Sequence, residues 1–299
     1  MEFDKSDCIG AKHPLEIAAY LEEIGDHEAA SRFHQLGARS QAISVPFFTN
    51  DQWANTGAAI GFIPENGSSA GDRLDIVHAT SMAPDEKLQG ASLKITLDRF
   101  YVHNYPGSGR HEILCEFTGK NQAGSKSEEM RFALKTIATD GSAAPLLSLP
   151  IFVGVNIGND GLSFEGRTIN VRSGGTDMLV EALDNSAFKE GLSLLTTAQP
   201  VLVPFVQLAK GVVRAIEKQG NNRPVFSFGL GLDFSKTATS AKLRLGSYVV
   251  VQTNEVGWNW SDFVFSRQSG TVAPKLSGAS PIALNYMIFG VTRAGQAAP

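Results

Sequence analysis

From Phe226 to Phe234 every second residue is large and apolar: Phe226, Phe228, Leu230, Leu232 and Phe234. Between them stand Ser227, Gly229, Gly231 and Asp233. A period of two sends alternate side chains to opposite faces of a strand, whereas a helix would scatter these five residues around its axis. The chain must therefore build a sheet with one well-covered face. The glycines on the reverse of this strand predict that another backbone, a helix or a ligand comes close there.

The same period recurs through much of the chain. Leu93, Ile95, Leu97 and Tyr101 alternate with Lys94, Thr96 and Asp98. After a loop at Asn104–Gly109, Ile113, Cys115 and Phe117 alternate with Glu112, Glu116 and Thr118, and the two runs read as a hairpin. Met130, Phe132 and Leu134 begin a further strand, followed by Ile151–Ile157 and Leu162–Val171. In the last of these the apolar parity changes at Gly166, which predicts a β-bulge. Leu243–Thr253, Trp258–Ser266 and Ile282–Thr292 join the Phe226 strand in what reads as one antiparallel sheet.

Helical signals occupy two places. Pro14 suits a first helical turn, Gly25 ends that helix, Asp26 caps the next, and Ala30, Phe33 and Leu36 carry an apolar face to Gly37. The acidic residues Glu16, Glu22, Glu23, Asp26 and Glu28 would repel phosphate, so the pair reads as a packing hairpin rather than a DNA-binding one. Farther on, Met178–Leu183, Ala187–Leu195 and the stripe Val201, Phe205, Leu208, Val212, Ile216 predict a helical segment over 176–219. Short strands are expected at Ile43–Phe48, Ala58–Ile63 and Leu74–His78, with a linker at Met82–Gly90.

The expected fold class is α+β, mainly β. It is an antiparallel β-sandwich over 91–294 with the helical excursion at 176–219. Residues 1–88 form an N-terminal α/β region with a helical hairpin, packed on the core or separate.

Composition narrows the function classes. Net charge is −4 and no run of Lys and Arg gathers on one segment, so nucleic acid is not an expected partner. The two cysteines, Cys8 and Cys115, form no C-x-x-C pair, and the acidic start Met1–Asp7 lacks a signal-peptide core. Free thiols in the cytoplasm are the expectation. The uncharged stretches 141–159 and 191–209 carry prolines and polar residues that argue against membrane spans.

The motifs are incomplete. His27-Glu28-Ala29-Ala30-Ser31 has Ser where a zinc-protease motif needs its second His. His111-Glu112-Ile113-Leu114-Cys115 ends in a possible ligand but lies on a strand, where residues four apart are about 13 Å from one another. A hairpin would bring His103 and His111 together beside Asp98, Arg110 and Glu112, a place for a metal or an acid–base site. The turn around Asn156, Asn159 and Asp160 has Arg167 where a calcium loop needs Glu. There is no G-x-S-x-G and no phosphate loop, and Gly229-Leu230-Gly231 lies inside a strand. Neither a metal nor a cofactor is expected.

One aromatic cluster remains, Trp258, Trp260, Phe263 and Phe265. On a strand, the tryptophans would share one face and the phenylalanines the other, leaving one pair free for a ligand or interface. The candidate site residues are thus Trp258, Trp260, His103 and His111. The leading expectation is a non-catalytic binding or assembly module with a protein partner or a second copy of itself. The alternatives are a hydrolase with loops meeting near His103 and His111, and a membrane-active effector using the helices at 178–219.

Overall fold

The computed structural model describes residues 3–39, 51–64, 71–123, 126–171, 222–276 and 280–295. The expected strand at Ile43–Phe48 and the helical segment 176–219 lie outside the described residues.

Two sheets face each other across an aromatic core. The larger holds seven strands in the order β3 (Val77–His78), β1 (Ala58–Pro64), β12 (Gly246–Gln252), β15 (Tyr286–Arg293), β4 (Ser92–Val102) and β7 (Ser142–Ala143), with β8 (Leu149–Asn156) also on β4. The second has five in the order β11 (Ala241–Lys242), β10 (Arg223–Asp233), β9 (Leu162–Val171), β5 (Arg110–Ala123) and β6 (Lys126–Thr139). Phe289 on β15 reaches across to Phe117, Phe164 and Phe228 of the second sheet, with ring centroids 5.7, 5.2 and 5.7 Å away. Apart from the short parallel pair β10–β11, every pairing is antiparallel. The fold is mainly β and sandwich-like, and it does not close into a barrel.

A third layer explains the run Tyr248-Val249-Val250-Val251. The three-stranded sheet β14 (Thr271–Pro274), β13 (Phe263–Ser266), β2 (Arg73–Asp75) covers the far side of the large sheet. Tyr248 and Val250 face the second sheet, while Val249 and Val251 pack with Leu74, Val272 and Trp260. A strand covered on both faces reads as continuous apolar sequence. Trp260 lies directly over Gly61, where a Cβ would come within 2.7 Å of the indole ring, so only glycine leaves room for it.

The N-terminal helices α1 (Pro14–Glu23) and α2 (His27–Arg39) begin as their sequence predicts, with Pro14 in the first turn of α1 and the Asp26 carboxylate accepting the Ala29 N–H. Ile17, Leu21 and Phe33 enter the same core as Leu93, Ile95 and Phe289. The stretch Met82–Gly90, read as a linker, is fastened along its length. The Asp85 N–H donates to Leu243, the Gly90 N–H donates to Ile157, and Leu88 is fully buried.

Several expectations are corrected. β4 and β5 are not a hairpin: they lie in opposite layers, and the loop between them crosses the sandwich. Alternation fixes which side of a strand is covered but not its partner. The Leu93–Tyr101 alternation breaks at Asp98, where the register with β15 shifts, so Leu97 and Phe100 both enter the main core and Tyr101 stacks on Tyr286 on the other side. β9 has no bulge at Gly166. Its pairing with both neighbours runs unbroken there, and Gly166 faces inward to receive the ring of Phe228. The inward face then continues through polar residues, Thr168 bonded to the Tyr105 hydroxyl and Asn170 to the Tyr20 hydroxyl. The irregularity lies in β10, between Pro224 and Phe226. Leu74–His78 divides into two strands of different sheets, and the C-terminal strands are shared among all three sheets rather than forming one. The reverse of β10 is open at Gly231, with no atom of the described residues within 4 Å of a Cβ built there.

Candidate functional site

The end of the sandwich where β12 stops is organised by carboxamides. Gln252, the last residue of β12, donates to the carbonyls of Trp53 and Asn55 at 2.9 and 2.6 Å. Its own carbonyl accepts from the Asn285 amide at 3.0 Å. The Asn285 oxygen in turn accepts the His103 and Asn104 N–H groups, and the Asn104 oxygen accepts the Trp53 N–H. Asn254 Oδ1 accepts the N–H groups of Thr56 and Gly57 at 3.0 and 2.6 Å. Gln252 and Asn285 are almost completely buried. Polar groups are tolerated at such depth because each is paired. Four loops that meet nowhere in sequence are thereby held together.

A cleft of about 560 Å³ opens beside this network, lined by residues of the segments 51–55, 253–258 and 282–284 with Phe263 and Pro274. Its apolar lining includes Trp258, Phe263, Ile282 and Leu284, and its polar lining Asp51, Gln52, Asn55, Asn254 and Glu255. Trp258 lies flat on Phe263, with centroids 4.5 Å apart and planes 6° from parallel, and meets Trp260 edge-on at 5.4 Å. The two residues that strand alternation would set on opposite faces are thus stacked together. The reason is local: Trp260–Asp262 forms a 3-10 turn, and the strand starts only at Phe263. Trp258 is half-buried, and its indole N–H is buried without a partner among the described residues. Trp260 belongs wholly to the core.

Asp51 is the buried carboxylate of the cleft. Arg32 donates to both its oxygens, from Nη2 at 2.8 Å and from Nε at 3.3 Å, and the contact holds the guanidinium pKa above its ordinary value. Glu255, by contrast, is exposed at the rim.

His103 and His111 both lie beside Asp140. His111 has no exposed surface, its Nε2 sits 2.8 Å from Asp140 Oδ1, and its Nδ1 has no partner among the described residues. Its ring packs 5.6 Å from that of Tyr105. His103 is half-buried and its carbonyl accepts the Gly141 N–H. Burial pulls the His103 pKa down, partly offset by the negative charge of Asp140. Among the described residues no three His, Cys, Asp or Glu side chains gather as metal ligands would. Both thiols are free and buried, Cys8 against the Ser227 hydroxyl at 3.3 Å, and burial raises both thiol pKa values. No helix of the described residues is long and apolar enough to cross a membrane.

Sequence reasoning singled out Trp258, which lines this cleft, and did not single out Asp51, Asn254, Gln252 or Asn285. Their partners lie up to 199 residues away, as between Gln252 and Trp53, and no local spacing marks such a pair. Compared with known protein families, curated proteins and solved structures, the chain finds no match.

Proposed function

We propose that the protein is a non-catalytic binding module whose ligand enters the cleft at Trp258. The supporting observation is the make-up of its lining: a half-buried Trp stacked on Phe, together with side-chain amides. Small-molecule sites combine an apolar, aromatic lining with a few convergent polar groups in about 300–1,000 Å³. No His, Cys, Lys or Arg is among the described lining residues, and Asp51 is occupied by Arg32. The cleft thus offers polar anchors rather than a nucleophile beside its base. The hydrolase alternative would centre on His103 and His111, of which the His111 ring is fully enclosed beside Asp140.

A thermal-shift screen of a small-molecule library against the wild-type chain and Trp258→Ala tests this reading. Ligands that raise the wild-type midpoint should lose that effect in the variant and emerge unchanged from prolonged incubation. Hits indifferent to Trp258→Ala, or hits turned over in a manner abolished by His111→Ala, would overturn it.

A further inference from the structure

We infer that the cleft takes a neutral, polyhydroxylated ring, the chemistry of a sugar residue; this rests on the cleft being the binding site. The argument begins with charge. The one buried carboxylate of the lining, Asp51, is compensated on both oxygens by Arg32. Glu255 is the remaining carboxylate, and it stands at the solvent-exposed rim. No cationic side chain lines the cleft among the described residues, so a phosphate, sulfate or carboxylate ligand would lose its water without gaining a counter-charge.

The hydrogen-bonding groups point the same way. Asn254 Oδ1 accepts from two backbone N–H groups. That atom must therefore be the oxygen, and the amide NH₂ is left to donate elsewhere. Asn55 and Gln52 bond to each other at 3.0 Å. Whichever way this amide pair is turned, one whole NH₂ and one whole carbonyl oxygen are left over from this bond. Glu255 adds acceptors only. Donors and acceptors are therefore mixed in the polar lining. A hydroxyl both donates and accepts, so a polyol matches such a lining, whereas an ammonium group can only donate and a phosphate mainly accepts.

Trp258 supplies the aromatic part of the lining. The face of an aromatic ring is electron-rich. The C–H face of a sugar ring carries slight positive charge and no hydrogen-bonding group, so it can lie on the indole while the ring's hydroxyls reach the amides. The Phe263 stack and the Trp260 edge hold the indole in place, so little side-chain freedom is lost on binding.

A glycan array carrying neutral, sialylated and sulfated oligosaccharides, read with the full chain, tests the inference. Spermine and an arginine-rich peptide serve as cationic probes in parallel titrations. Neutral glycans should bind. Trp258→Ala should weaken them by about tenfold or more, a loss of one aromatic contact's order. Trp258→Phe should retain part of the affinity, and it keeps the test valid if the alanine variant unfolds. Glu255→Gln keeps one acceptor oxygen and removes the charge, so it should weaken neutral glycans less than Trp258→Ala does. Binding of sulfated or sialylated glycans alone, or of spermine or the peptide alone with loss in Glu255→Gln, would overturn the sugar class. A Trp258-dependent response to those probes would still leave the binding reading standing. If no probe of any class distinguishes wild type from Trp258→Ala and Trp258→Phe, both readings fall.

Discussion

The aromatic core around Phe289 and the carboxamide corner around Asn285 hold together equally distant parts of the chain by different physics. Around Phe289 the contacts are non-directional, and many similar arrangements would bury the same area. Around Asn285 each polar atom has specified partners: the oxygen takes two backbone N–H groups and the amide NH₂ reaches Gln252. The first can be repacked by residues of similar volume. The second cannot lose a member without leaving buried donors or acceptors unpaired. The cleft lies against the second kind of construction, where loop positions are fixed to within a hydrogen bond.

That contrast can be broken by substitution. Phe289→Ala should cost about 3–5 kcal/mol by chemical denaturation, since it removes a buried ring and leaves a cavity among three others, while Phe289→Leu should recover much of the loss. Asn285→Ala should cost about 2–3 kcal/mol through its orphaned partners, and here Asn285→Leu should recover nothing. If leucine rescues both positions alike, the distinction between the two regions fails.

A smaller effect concerns pH. Burial lowers the folded-state pKa of His103 below its ordinary value of 6.5. The unfolded chain therefore takes up this proton first as pH falls, so stability is full above about pH 6.5 and declines between there and the lower folded pKa. The melting-temperature difference between pH 7.5 and pH 5.5 should shrink in His103→Gln. An unchanged difference would show that the corner does not constrain this histidine. The smallest effect is expected at Gly231, on the open reverse of β10. Gly231→Ala should shift stability by no more than about 0.5 kcal/mol, the range of ordinary surface changes. A large loss there would mean that the face is covered after all.

Strand existence was legible because burial imposes its period on sequence. Leu93–Leu97, Ile113–Phe117 and Phe226–Leu232 are all strands with those residues inside. Pairing was not legible: β4 and β5 carry similar alternation yet lie in opposite layers. Gly166 looked like a bulge because the apolar residues pass from even to odd positions there. Yet Ile169 and Val171 are buried on the other face, and the inward positions continue as Thr168 and Asn170, whose hydroxyl and NH₂ find partners inside. Of the cleft, only the aromatic lining announced itself. Its polar lining depends on amide contacts between β12's end and residues 52–57, and composition gives no hint of partners so far removed.

Strand β12 has a consequence for exchange of backbone protons with solvent. It sits inside the large sheet, paired on both edges and covered on both faces. Its amides in Ser247–Val251 can meet deuterated water only when whole layers separate, so they should rank among the slowest in the molecule and report its global opening. Beyond Gln252 the same chain enters the exposed Glu255–Gly257 loop at the cleft rim, where exchange should be faster by orders of magnitude. One continuous segment thus passes from the least to the most permissive part of the protein within a few residues. A ligand in the cleft would register as slowed exchange on the loop side alone.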